Sequence, residues 1–365
     1  MSGGTPVAAA PPAGIDLAKP EMKRTREGFG HGLVELGERR GDVVVLVGDL
    51  TGSTNVNYFA AKFPERFIEV GIAEQNMMCV AAGLAAVGKI PFLATYGAFA
   101  SCRSADQIRV TVAYTDLPVK IGGAHGGISV GPDGATHQAM EEIAIVRSIP
   151  NMKMIVPCDY WETRKATVAM ADDPHPNYIR FGREPVPVVT GPDTPFTIGK
   201  ANLVREGHDL AIIACGVMVY EALVAAQELE ARGIHARVLN LHTIKPLDKD
   251  AVIRAAKECG AVVTAEEHQV HGGLGGAVAE TLVQSHPVPM EFVAVHDRFG
   301  RSGKQDELMA AFGIKAPDVV RAIDCAYPGN VVRAAASHVA PASLDQHCHM
   351  VSLYTGRTST MTVLP

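Results

Sequence analysis

The chain has 365 residues, 47% hydrophobic and 20% charged, long enough to bury a core and to form about two or three domains. Its formal net charge of -6 argues against non-specific binding to nucleic acid or to an anionic membrane surface. No apolar run approaches the roughly 18 uninterrupted residues that a membrane helix needs.

Residues 3–14 are rich in glycine, proline and alanine and carry no basic stretch, so a disordered tail is expected over residues 1–22, not a signal peptide. Helical periodicity predicts a helix over 25–39, with Phe29, Leu33 and Leu36 on one face. Residues 42–49 then form a short β-branched run of the kind found in a parallel sheet covered on both faces. The alternation continues with a strand over 90–96, a helix over 104–114, strands over 119–122 and 153–156, and a helix over 161–171. Proline density over 185–195 predicts an irregular interdomain linker. A second unit follows, with strands over 209–215, 236–241, 261–265 and 290–295 and helices starting near Val219, Lys249 and Gly275. The fold class is therefore α/β: two consecutive doubly wound domains with mainly parallel sheets, over 23–190 and 191–329. Residues 330–365 lose periodicity and are expected to be a weakly structured tail. Seven scattered cysteines with no C-x-x-C pair fit reduced thiols in a cytoplasmic protein.

Glu74 is the carboxylate that carries most information. It opens a small-residue stretch suited to a buried helix, where the helix dipole stabilises negative charge and desolvation tunes proton affinity. Taken alone, it reads as an ordinary favourable helix terminus. Four segments change its meaning, because all lie at the C-terminal ends of first-domain strands, where open α/β sheets place ligands. They are residues 48–53, the Glu74 segment, residues 95–99, and the glycine-rich loop 122–138 with two histidines and an aspartate.

Gly-Ile-Ala-Glu-Gln (71–75) and Gly-Pro-Asp-Gly-Ala-Thr-His-Gln (131–138) resemble, in order, the activating-glutamate segment and the substrate-channel loop of transketolases. The resemblance covers about residues 26–327, the pyrimidine-binding and C-terminal domains of that family. It implies that Glu74 hydrogen-bonds the aminopyrimidine of thiamine diphosphate and favours the imino tautomer that deprotonates the thiazolium carbon. Tyr96 and Phe99 resemble the aromatic wall on the pyrimidine; a plain core role fits Phe99 better than Tyr96. His137 resembles the histidine at the reacting carbonyl and hydroxyl, and Asp133 the acid that reads hydroxyl stereochemistry. His125, Arg26, Ser53 and Arg183 resemble the sugar-phosphate anchors, with Arg180 a neighbouring candidate. Asp49 lies where the family makes a cofactor contact, although a strand-end aspartate also serves as a loop cap.

The family holds the diphosphate and its metal, Mg2+ or Ca2+, on a Gly-Asp-Gly motif, which this sequence lacks. The resemblance thus implies a split transketolase: a separate N-terminal subunit binds diphosphate and metal, in a heterotetramer acting on sugar phosphates, and this chain holds no metal. Gln75, Ala73 and Cys102 depart from the commonest transketolase pattern, and the Ala-Glu-Gln version also occurs in 1-deoxyxylulose-5-phosphate synthases. A fragment of such a synthase, a 2-oxo-acid dehydrogenase beta subunit and a non-catalytic regulatory subunit are the alternatives. His268 and His271 have no clustered ligands for a metal, and the glycines over 272–276 read as tight helix–sheet packing.

Overall fold

The computed structural model describes residues 15–326; the expectations for residues 1–14 and 330–365 lie outside them. In the first half the strands are β1 (Met22–Arg24), β2 (Val43–Val47), β3 (Phe67–Glu69), β4 (Ile90–Tyr96), β5 (Lys120–Ala124), β6 (Lys153–Ile155), β7 (Asn177–Phe181) and β8 (Pro185–Pro187). In the second half they are β9 (Asn202–Arg205), β10 (Leu210–Ala214), β11 (Ala236–Asn240), β12 (Thr243–Lys245), β13 (Val262–Gln269) and β14 (Met290–Val295). A seven-stranded sheet has the order β12-β6-β7-β5-β4-β2-β3 and a five-stranded sheet β14-β13-β10-β11-β9. In these two sheets all pairs are parallel except those made by β12 and β9. Strands such as β2 and β10 are buried along their whole length, as strands covered by helices on both faces must be.

Register places the site. Val47 pairs with Glu69 and Ala94, Tyr96 with Ala124, and Ala124 with Phe181. Five parallel strands therefore end along one edge, and the loops that follow them issue side by side.

The helix Thr25–Arg39 packs on the helix Tyr160–Asp172 through glycines. A Cβ at Gly28 would collide with the Tyr160 carbonyl oxygen, and one at Gly32 would lie 2.8 Å from Thr167 Cβ. Gly28→Ala is therefore expected to lose about 1–3 kcal/mol in urea unfolding, although alanine is the better intrinsic helix former.

Several expectations need correction. Residues 15–22 are not a loose tail: Ile15 and Leu17 pack on the second domain's core, and Tyr220 Oη donates to the Leu17 carbonyl at 2.8 Å. The stretch 185–195 is not wholly irregular, because β8 pairs antiparallel with β1, matching Lys23 with Val186. Val188 N donates to Glu21 O, so in this ladder Pro185 and Pro187 occupy the outward-facing positions, where no N–H is required. The buried Asp159 carboxylate then accepts the N–H groups of Val189 and Thr190, at 2.8 and 2.6 Å, and holds the segment down. The helix expected over 104–114 is instead a short α-turn between π-helical segments, Phe99–Arg103 and Ile108–Ala113. β12 also crosses from the second half to extend the first sheet beside β6, so the two sheets share an uninterrupted apolar core.

Candidate active site

Glu74 is the first residue of the helix Glu74–Ala86 and is only 2% exposed. Its Oε2 accepts a hydrogen bond from Arg103 Nη1 at 2.8 Å. The turn before it is organised by Glu69, at the end of β3. The Glu69 Oε1 accepts the N–H groups of Asp49 (2.7 Å) and Gly71 (3.1 Å), and Oε2 the Thr51 hydroxyl (3.2 Å). Asp49 adopts a left-handed φ of 58°, which aspartate tolerates better than most residues. Within the chain Asp49 thus acts as a loop residue tied to Glu69.

Four rings gather at the ends of β4 and β5. Tyr96 lies 5.7 Å from Phe99, 4.0 Å from His125 and 5.4 Å from His137, measured between centroids. Phe99 also meets His137 edge-on at 5.4 Å. Both aromatic side chains are half-buried, so neither is simple core. His137 Nδ1 is 2.8 Å from the Thr136 hydroxyl.

A charged cluster adjoins these rings. Arg183 Nη1 donates to Asp133 Oδ1 at 2.8 Å, and Asp133 Oδ2 is 3.9 Å from His125 Nε2. Arg26, on the first turn of the helix Thr25–Arg39, donates to the Ser53 carbonyl at 3.0 Å. Burial pushes the His125 proton affinity down to about 3, with Arg26, Arg183 and His137 adding to the effect. The imidazole is therefore neutral, and the Asp133 contact is not an ion pair. Burial also lowers the Arg26 value, reinforced by Arg24 and Arg183. Arg26 Nε and His125 Nδ1 are buried without a hydrogen-bond partner among the described residues. The unpartnered Arg26 Nε–H, beside the Arg183 guanidinium, suits an anionic ligand.

The loop that carries Asp133 and His137 is braced by the second domain. Glu267 on β13 accepts the Ser129 N–H. Gln138 Nε2 donates to the carbonyls of Ile128 at 3.1 Å and Arg301 at 3.0 Å.

Arg180 does not join the cluster. It is 5% exposed, pairs with Glu142, and donates to the Glu267 carbonyl at 2.7 Å. Its fork is spent on tying the two domains together, which corrects its expected place among the anchors. Three contributors are not evident from the sequence: Arg103, Glu69 and Glu267. Glu69 carries a weak signal there, since it ends the apolar-acidic stretch 66–69, five residues before Glu74.

In the second domain Glu266 accepts the N–H groups of Leu274 (2.7 Å) and Gly275 (2.9 Å), and a Cβ at Gly275 would collide with Phe292. The carboxylate fills the place a bound anion would take, as tight packing requires. Among the described residues, no group of three or more His, Cys, Asp and Glu side chains is placed to hold a metal ion. None of their helices is long and apolar enough to cross a membrane.

Two family profiles match, "Transketolase, pyrimidine binding domain" over residues 21–188 and "Transketolase, C-terminal domain" over residues 199–319. The chain is 47% identical over 290 residues to the 6-deoxy-6-sulfo-D-fructose transketolase subunit SqwH of Clostridium sp. (strain MSTE9), covering 80% of this chain and 90% of that protein. It is 41% identical over 294 residues to a subunit of the apulose-4-phosphate transketolase of Phocaeicola vulgatus, covering 80% and 94%. A solved structure described as a split gene transketolase, inactive beta4 tetramer, superposes with a TM-score of 0.79 at 46% identity, over 84% of this chain and 98% of that one. The ordered motifs, the two profiles and the near full-length match to split subunits converge: the chain belongs to the transketolase family and corresponds to its pyrimidine-binding and C-terminal domains.

Proposed function

We propose that this chain is the pyrimidine-side subunit of a two-component transketolase, which moves a two-carbon ketol unit from a ketose to an aldose. The observation that carries the reading is a single juxtaposition. A buried helix-start carboxylate, an aromatic pair and a neutral-histidine, two-arginine cluster lie along one edge of one sheet. The residues fit the pyrimidine end of thiamine diphosphate, because Glu74 is a buried acceptor and Phe99 and Tyr96 are partly open aromatic surfaces. When bound, that cofactor supplies the carbon nucleophile on which the two-carbon unit is carried.

The chain's own residues have distinct parts. Glu74 holds a proton at a carboxyl oxygen, away from bulk water. Tyr96 and Phe99 hold the ring plane. His137 moves a proton at its imidazole beside the substrate carbonyl. Asp133 accepts from a substrate hydroxyl, oriented by Arg183. Arg26, Arg183, His125 and the Ser53 segment take the substrate's anionic end. The two relatives act on sugars with a sulfonate or a phosphate group, which suits an anchor of this kind. The diphosphate and its Mg2+ or Ca2+ belong on a separate N-terminal subunit, since no Gly-Asp-Gly occurs here. A heterotetramer with two of each chain follows, and the split-gene relative described as inactive in a one-chain tetramer accords with it.

Reconstitution tests the proposal. The purified chain alone should show no ketol transfer from a ketose phosphate to ribose phosphate, and mixing with the diphosphate-binding subunit should restore it. Full transfer by the isolated chain would overturn the split assignment. Product from pyruvate plus glyceraldehyde phosphate in its place would move the complex to the deoxyxylulose-phosphate synthase class.

A further inference from the structure

Arg103 takes no part in the scheme above, yet it touches two residues that the scheme needs. Its Nη1 donates to Glu74 Oε2 at 2.8 Å, and its guanidinium carbon lies 4.4 Å from the centre of the Phe99 ring. Phe99 and Arg103 lie four positions apart on one π-helical segment, Phe99–Arg103, and so share a face of it. Such turns concentrate at functional sites. Gln75 Nε2, next to Glu74, holds the Arg103 carbonyl at 3.1 Å and fixes the backbone from which the side chain reaches in. Burial is lopsided: the Glu74 side chain is 2% exposed and that of Arg103 46%. The arginine enters from the surface and has a route back out.

A guanidinium is flat, cationic and a hydrogen-bond donor. An aminopyrimidine that shares a proton with a carboxylate is likewise a flat donor to that carboxylate. We infer that Arg103 is a displaceable stand-in for the pyrimidine, closing the cofactor seat until it swings into solvent. The inference rests on the pyrimidine-side reading given above. Its physical basis is that Glu74 is a buried carboxylate, and a buried carboxylate without a partner is strongly destabilising. Arg103 supplies that partner when the cofactor is absent. The cofactor must then compete with it, so apparent affinity falls by the fraction of molecules whose seat is open.

Two readouts should move in opposite directions. In the isolated chain without cofactor, Arg103→Ala should lower the melting temperature, because Glu74 loses its partner. In the assembled two-subunit complex, calorimetric titration with thiamine diphosphate and Mg2+ should give about ten-fold tighter binding than the parent. Arg103→Met keeps an aliphatic stem over Phe99 and serves if the alanine variant folds poorly; it should show the same pair of effects. Weaker or unchanged cofactor affinity in both variants would overturn the stand-in role, leaving Arg103 either a cofactor contact or a structural partner. Glu74→Gln and Phe99→Ala separate this from failure of the underlying reading. If neither weakens cofactor binding, the seat itself is wrongly placed. If both weaken it while Arg103→Ala does not tighten it, only the stand-in falls.

Discussion

Glu74→Ala in the assembled complex is expected to lower ketol transfer by about two to four orders of magnitude, the range over which a positioned acid–base group acts. The loss should appear in kcat, measured with saturating thiamine diphosphate and sugar, because the carboxyl is asked to hold a proton during the reaction. Folding should not be the cause. Glu74 sits at a helix start with its ion-pair partner, Arg103, on the solvent side, and alanine removes the buried charge together with its need for a partner. Thermal unfolding of the variant should therefore stay close to that of the parent. Unchanged turnover in a fully assembled complex would favour a non-catalytic, regulatory subunit built on the same fold.

Arg180→Met should act in the opposite sense, on stability and not on substrate. Removing the guanidinium leaves Glu142 and Glu267, 0% and 4% exposed along their side chains, without their cation. Breaking a buried pair from one side typically costs about 3–5 kcal/mol, which urea unfolding will register. A partial rescue by adding Glu142→Gln would identify the unpaired carboxylate as the cause. A raised KM for the sugar phosphate with undiminished stability would return Arg180 to the anchors.

Much of the fold was legible because apolar runs with β-branched residues can be read directly as buried strands: β2, β4, β10, β11 and β14 lie where their sequences place them. β7 was not, although it is central and wholly buried. Its Asn177 and Arg180 look like surface residues in sequence. Their burial is tolerated because Lys120 Nζ reaches Asn177 Oδ1 at 3.2 Å and Glu142 pairs with Arg180. β1, β8 and β12 are short, and their pairing partners are far away in sequence, so no local pattern announces them.

The candidate site divides in the same way. Helix-start chemistry singled out Glu74, and the resemblance carried by the ordered motifs singled out Tyr96, Phe99, Asp133 and His137 as candidates and pointed to the transketolase family. Only the tertiary structure could show that Arg103 engages Glu74, that Glu69 gathers the Asp49 and Gly71 amides, and that Glu267 braces the substrate loop from the other domain. It alone separated Arg183, which faces Asp133, from Arg180, three residues earlier and turned into the interior. The reason is physical: a motif records which chemical groups are available, whereas a charged side chain's partner depends on which strands and loops the fold brings within about 3 Å of it.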